Sequence, residues 1–205
     1  MQQGSQEWFD IRLGKLTASR IAMLYSGFRT YRRLKRNICL ERLTGEREQF
    51  VTNDAIEWGV STEPLARAAY EMATDVEVEL VGFVQHEYID GFGCSPDGYV
   101  GTDGMIEIKC PQTNTHLTYI QEDKPPKKYI PQMQAQMAIT GGKWCDFVSY
   151  DPRVEKDLQL FIKRVERDDE YIADMIQKVT VFLASVERSV KRFERMKECQ
   201  LNTKF

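Results

Sequence analysis

The stretch covering residues 95–111, SPDGYVGTDGMIEIKCP, limits what this chain can become more than any other. Pro96-Asp97-Gly98 is a tight-turn sequence: proline presets one backbone angle and glycine accepts conformations that other residues avoid. A Gly/Asp-rich connector follows, then a short apolar strand over residues 105–110. Alternate side chains of a strand share a face, so Glu107 and Lys109 point the same way. Asp97 and Glu107 sit on opposite arms of the hairpin this implies, so their carboxylates can meet. Two carboxylates at one point with a lysine beside them are what a hard divalent cation and an attacking water require. A short D…ExK pattern equally describes a surface hairpin with a solvated ion pair. The apolar opposite face of this strand argues instead for burial, and buried charges need partners.

A chain of 205 residues, 42% apolar and 29% charged, is read as a single α/β domain over residues 1–205 with one proper core. It has no apolar run of about 18 residues, so no transmembrane helix is expected. The start, MQQGSQEWFDIR, lacks the basic and apolar blocks of a signal peptide, and a cytoplasmic protein is the default expectation. Cys39, Cys94, Cys110, Cys145 and Cys199 are scattered without a CxxC, so reduced, packed thiols are expected rather than zinc or disulfides. With His86 and His116 as the two histidines, a histidine-based triad is disfavoured. The net charge of −3 hides a strong asymmetry. Residues 1–52 carry 10 Lys/Arg against 5 Asp/Glu, and residues 53–107 carry 1 against 12. A basic arm suits phosphates and an acidic block suits metal; simple sequence bias would give the same counts.

In chain order, Ser5 caps a short helix that ends at Arg12-Leu13-Gly14, and Thr17-Ala18-Ser19-Arg20 opens a second helix. An arginine before a helix start with hydroxyls is a phosphate cradle or an ordinary cap. Residues 26–37, SGFRTYRRLKRN, hold five basic residues, among them Arg32, Arg33 and Lys35, interleaved with Phe28 and Tyr31. That pattern suits DNA and also suits a solvated helix face. Gly45 reads as a C-cap. Asn53 caps a helix to about residue 73 whose inward positions are Ile56, Val60, Leu65, Ala69 and Met72, with a kink at Pro64 aiming Glu63. Residues 76–85 alternate as one strand, 87–94 form the next, and the Glu107 strand completes an antiparallel meander. Helices follow over 112–121 and 129–140, then strands over 144–150 and 157–165, and a long helix from about 168 to 197. On residue type alone, Gln132, Gln134 and Gln136 are polar helix surface.

SPDG followed by EIKCP resembles the PD-(D/E)xK nucleases, and specifically the lambda exonuclease (YqaJ-type viral recombinase) family. Arg12-Leu13-Gly14, Thr17-Ala18-Ser19, Trp58-Gly59 with Glu63, the glutamine-bearing helix and Tyr150-Asp151-Pro152-Arg153 extend the match along most of the chain. The resemblance implies a PD-(D/E)xK nuclease core, a central mixed β-sheet flanked by helices. It implies two Mg²⁺ ions, bridged by Asp97, with Glu107 and the Ile108 carbonyl completing one shell and Glu63 the other. Mn²⁺ is expected to substitute, since its oxygen-ligand geometry is similar. Lys109 would orient or deprotonate water and stabilise phosphate charge, with a pKa that desolvation can lower. A glutamine near the centre is also implied, Gln134 first and Gln132 second. Arg12 and Ser19 would hold a terminal 5′-phosphate, and Ile56 would be an apolar wedge unless it simply packs in the core. The activity implied is 5′→3′ hydrolysis of one strand of linear double-stranded DNA, releasing mononucleotides and leaving a 3′ overhang. The implied partners are a homotrimer ring and a single-strand-annealing recombinase. One departure stands out: family members can carry an arginine just after EIKCP, whereas residues 112–115 are QTNT. The phosphate pocket would then lean on Arg12, Ser19 and Ser95. An endonuclease on the same core and a non-catalytic DNA-binding scaffold are the rival readings.

Overall fold

The computed structural model describes residues 2–47 and 53–202. Its elements run α1 (Gln6–Ile11), β1 (Leu16–Thr17), a 3-10 segment (Ala18–Leu24), α2 (Phe28–Thr44), α3 (Asp54–Thr74), β2 (Val78–Glu79), β3 (Val84–Gln85), β4 (Phe92–Cys94), β5 (Gly98–Val100), β6 (Gly104–Lys109), α4 (Thr113–Glu122), α5 (Ile130–Thr140), β7 (Trp144–Tyr150), β8 (Leu160–Glu166) and α6 (Asp169–Asn202). A five-stranded mixed sheet has the order β2-β5-β6-β7-β8, and a smaller sheet the order β1-β4-β3. In the large sheet β6 and β7 are parallel, because the chain between them carries α4 and α5 and returns to the starting edge. The other neighbours are antiparallel.

Alternation along β6 divides the core. Ile106 and Ile108 pack on Ala66 and Tyr70 of α3, whereas Met105 faces Met133 and Met137 of α5. The large sheet is thus sandwiched between α3 and the α4/α5 layer. A third apolar cluster joins the small sheet to the 3-10 segment, α2 and α6 through Leu16, Ile21, Leu34, Phe92 and Phe182. The expected caps are present: Ser5 Oγ accepts from the Trp8 N–H, Asn53 Oδ1 accepts from the Ile56 N–H, and Gly45 closes α2 at φ 72°.

Several expectations are corrected. Residues 76–85 are not one strand: β2 and β3 belong to different sheets. Only residues 92–94 of the next expected strand are extended, and they join the small sheet rather than the meander. The second helix is a 3-10 segment preceded by β1, and the strand expected from 157 starts at Leu160 after a 3-10 turn. Helix α3 runs on through Pro64 as one element, which a kink allows. Its expected apolar stripe is met only at Ala69, which packs against the core: Thr62, Ala66 and Tyr70 are buried, while Ile56, Val60, Leu65 and Met72 are exposed. At 100° per residue, Ile56 and Val60 fall nearly half a turn from Leu65 and Met72, and the buried stripe runs between the two groups. Close approach to the sheet selects the small Ala66 there, and Tyr70 reaches Asp146, its hydroxyl donating to Oδ2 at 2.8 Å. Among the described residues no helix is long and apolar enough to cross a membrane, and Cys39, Cys94, Cys110, Cys145 and Cys199 are all free thiols.

Asp151, fully buried at the end of β7, ties three segments together. It accepts from Thr113 Oγ1 (2.6 Å), from Arg153 Nε (2.8 Å) and from the Arg153 backbone N–H (3.0 Å), while the Arg153 guanidinium lies 4.3 Å from the centre of the Trp58 ring. Burial alone would raise its pKa, but the bonds from Arg153 and Thr113 outweigh it and hold the carboxyl down to about 2. A depressed folded pKa stabilises above the unfolded value and loses that contribution as pH falls through the folded one. Urea unfolding of the wild type should therefore lose about 2 kcal/mol between about pH 4 and pH 2. Asp151→Asn should be less stable at neutral pH and flatter across that window. An equally steep acid loss in the variant would show that Asp151 does not carry it.

Candidate active site

The β5–β6 hairpin builds the centre. The Asp97 N–H donates to the Ile106 carbonyl (3.3 Å), and Asp97 Oδ2 accepts from the Ile108 N–H (2.6 Å), which fixes the carboxylate against β6. Glu107, 1% exposed, points toward α5. Its Oε1 accepts from the Lys109 ammonium and from Gln132 Nε2 (2.6 Å), and its Oε2 accepts from Gln136 Nε2 (2.7 Å). The Cys145 thiol donates to Gln136 Oε1 (3.9 Å), which turns the amide so that its NH₂ faces the carboxylate. Burial, and then the neighbouring Glu107, push the Asp97 pKa well above the carboxylate range, with Lys109 opposing. Burial pulls the Lys109 ammonium down, but Glu107 and Asp97 outweigh it, so its pKa is raised. The expected lowering by desolvation is therefore corrected: two facing carboxylates keep this lysine charged.

Arg12 and the two serines adjoin this centre. The Arg12 guanidinium stacks on Trp8, 3.8 Å from the ring centroid, and donates to Ser95 Oγ (2.9 Å), which also accepts from Trp8 Nε1 (2.9 Å). Ser19, at the start of the 3-10 segment, lies 3.1 Å from Thr17, hydroxyl to hydroxyl. Arg12, Ser19, Ser95, Asp97, Glu107, Lys109, Gln132 and Gln136 all line one cleft of about 160 Å³. Burial, with Arg20 and Arg47 nearby, lowers the Arg12 pKa to about 10. The cleft therefore runs from an acidic corner to a cationic pocket.

Gln134 is not part of it. Its Nε2 donates to the Glu166 carbonyl (2.8 Å) and its Oε1 accepts from the Asp168 N–H (3.0 Å), so it docks the start of α6 onto α5. Helical geometry is the reason: Gln132 and Gln136, four apart, share a face, and Gln134 lies about 200° round from Gln132. Gln132 and Gln136 reach the centre, and their i,i+4 spacing is the sequence signal that sets these two apart from Gln134. Gln134→Leu should cost about 1 kcal/mol of stability, because a partly buried N–H and carbonyl lose their partners; urea unfolding checks this, and an unchanged midpoint would exclude the docking role.

Glu63 is half-exposed and paired with Arg67 at 2.6 Å, one turn on in α3. Its charge nevertheless reaches Asp97, raising that pKa further. Ile108 gives its N–H to Asp97. Arg32 and Arg33 are exposed and Lys35 half-buried on α2, and Ile56 is exposed on the first turns of α3, which excludes core packing for it. None of these four lines the cleft. His116 is fully buried, its ring bonded to Ser149 Oγ (2.7 Å) and the Leu158 carbonyl (2.8 Å), as a structural histidine. Among the described residues, no three His, Cys, Asp or Glu side chains are drawn together as a closed metal cage. Glu63 is held back by Arg67, and Glu107 by Lys109 and two glutamines. The donors still suit a hard cation. Two carboxylates face the cleft, and the ionised form of Asp97 is penalised by Glu107 in a way that a bound cation removes.

The fold and this corner define the class: a PD-(D/E)xK nuclease core, with the acids and lysine displayed on a hairpin of a mixed sheet flanked by helices. Residues 7–143 match the YqaJ-like viral recombinase domain. The chain belongs to that family, of the lambda exonuclease type. It is similar to the crystal structure of an alkaline exonuclease from Laribacter hongkongensis, LHK-Exo, which has also been solved in complex with dAMP. The identity is 46%, the TM-score 0.91, and the match covers 96% of this chain and 100% of that one. A phage-related exonuclease from Haemophilus somnus 129PT shares the fold at 16% identity and TM-score 0.72, over 87% of this chain and 96% of that one. A protein of Acanthamoeba polyphaga mimivirus, Uncharacterized protein R354, is 27% identical over 72% of this chain, which spans 29% of that relative's length.

Proposed function

We propose that the chain is a divalent-metal-dependent exonuclease that degrades one strand of linear double-stranded DNA from its 5′ end, releasing 5′-mononucleotides. The observation that carries this reading is the single cleft in which Asp97, Glu107 and Lys109 meet Arg12, Ser19 and Ser95. The LHK-Exo structures, named as an alkaline exonuclease and solved with dAMP, support it.

Asp97, Glu107, the Ile108 carbonyl and Glu63 would hold two Mg²⁺ ions, for which Mn²⁺ substitutes. When bound, these supply charge neutralisation at the phosphate and an acidic water. Glu63 can join at small cost, because an i,i+4 pair with Arg67 is worth about 0.3–0.5 kcal/mol. Gln132 and Gln136 hold the plane of the Glu107 carboxylate, so its free electron pairs keep a fixed direction. Lys109 stays protonated and faces the scissile phosphate, where an ammonium stabilises the growing negative charge. Arg12 and Ser95 grip the terminal phosphate and set the distance to the next one. Arg32, Arg33, Lys35 and Ile56 meet the duplex outside the cleft. Leu65 and Met72, exposed together on one side of α3, offer an apolar surface of the kind subunits cover, in keeping with a homotrimer that hands the 3′ overhang to a single-strand-annealing protein.

The test uses linear duplex labelled at one 5′ end, with Mg²⁺ or with EDTA. Metal-dependent release of labelled mononucleotide is expected. Internal fragments, or nicking of closed circles, would show an endonuclease; binding without cleavage would show a scaffold.

A further inference from the structure

Past Arg12, the cleft does not end. A second cavity of about 280 Å³ shares Trp8, Arg12, Thr17 and Ser19 with the first and continues to Arg20 and Arg47. That volume is several times the ~30 Å³ a water takes up in the liquid, so it admits a hydrated phosphate group. Among the described residues, three guanidiniums line it with one carboxylate, Glu41. Glu41 is 3% exposed and already engaged: it pairs with Arg20 at 2.9 Å and accepts from the Gly14 N–H at 2.9 Å. The guanidiniums are set in place before any ligand arrives. Arg12 stacks on Trp8, Arg47 lies 4.2 Å from the Phe9 ring centroid, and the two rings meet edge to face at 5.0 Å. Arg20 opposes the charge of both Arg12 and Arg47, which an anion between them would relieve. Both nearby rings already carry an arginine, so the cavity offers phosphate donors rather than a bare face for an unpaired base.

We infer that the Arg12–Arg20–Arg47 cavity is a second phosphate subsite, one position beyond the terminal 5′-phosphate. It therefore accepts DNA ends that carry a further phosphoryl group there. This rests on the proposed 5′-end reading. The further group has two sources of the same chemistry: the 5′-di- or triphosphate of the last nucleotide, or the phosphodiester of one unpaired 5′ nucleotide.

The first measurement is calorimetric binding of inorganic pyrophosphate and orthophosphate to the metal-free full chain in EDTA. Pyrophosphate is expected to bind at least about tenfold more tightly, because it reaches the extra charge-assisted bonds. Arg47→Gln should remove that preference. Arg20→Gln is made together with Glu41→Gln, so that no buried carboxylate is left alone, and should remove it as well; circular dichroism decides which variants are folded. No preference in the wild type, or a preference that survives in a folded variant, overturns the subsite. Linear duplexes with a 5′-monophosphate, a 5′-triphosphate or a one-nucleotide 5′ flap then separate the sources. The end that uses the subsite should slow at least about tenfold more in Arg47→Gln than the monophosphate end. Rejection of both extended ends by the wild type overturns the inference. Failure to cut any end overturns the exonuclease reading instead, and the calorimetry still judges the subsite.

Discussion

Lys109→Met is expected to lower DNA cleavage by about 10²–10³-fold, the effect of removing one preorganised charge from a transition state. Methionine keeps most of the length and the contact with the Tyr129 ring, whose centroid is 5.3 Å from the ammonium, so the loss reports charge rather than packing. The variant has a second signature. Lys109 is the cation paired with Glu107, and it offsets the mutual repulsion of Asp97 and Glu107. Without it, two carboxylates are left without their cation, and thermal stability in EDTA should fall, more at pH 8 than at pH 5. A variant that keeps cleavage within tenfold of wild type would remove Lys109 from the chemistry.

Asp97→Asn is expected to do the opposite to stability and the same to activity. The raised pKa of Asp97 means that folding is favoured with the carboxyl protonated. Its contribution is therefore present at low pH and declines as pH rises from the unfolded value toward the folded one. An asparagine keeps the acceptor for the Ile108 N–H and removes the charge that Glu107 opposes. At pH 7 the melting temperature should rise by roughly 2–4 °C, the shift that about 1 kcal/mol gives in a chain of this size. Cleavage should drop by about 10²-fold or more, because a neutral amide is a poor ligand for a hard cation. Such a trade between stability and activity is the mark of a site built for a ligand. An unchanged or lowered melting temperature would contradict the electrostatic account of the Asp97/Glu107 corner.

Much of this corner is legible in the amino-acid sequence. The Pro-Asp-Gly turn and the alternation of the EIK strand require Asp97 opposite Glu107 and Lys109, because turn chemistry and strand period are local properties. Caps at Ser5, Asn53 and Gly45 are readable for the same reason. The family motif carries Arg12, Ser19 and Ser95, and these three do line the cleft with the acids. Residue type without the helical wheel misplaces the glutamines: Gln134 serves α6, and Gln132 and Gln136 serve Glu107.

Whatever depends on near neighbours follows from the sequence alone: the hairpin, the helix ends, and the presence of a basic arm and an acidic block. Whatever depends on distant residues meeting is settled by the tertiary fold. Helix α3 buries Thr62, Ala66 and Tyr70 because close contact with the sheet selects for fit, not for hydrophobicity along the helix. Residues 76–94 split between two sheets because pairing partners lie elsewhere in the chain. Arg20 and Arg47 come to Arg12 only once α2 has packed back over the 3-10 segment. Lys109 stays charged because Asp97, on the other arm of the hairpin, and Glu107 are both folded against it, an electrostatic consequence of burial that no local pattern records.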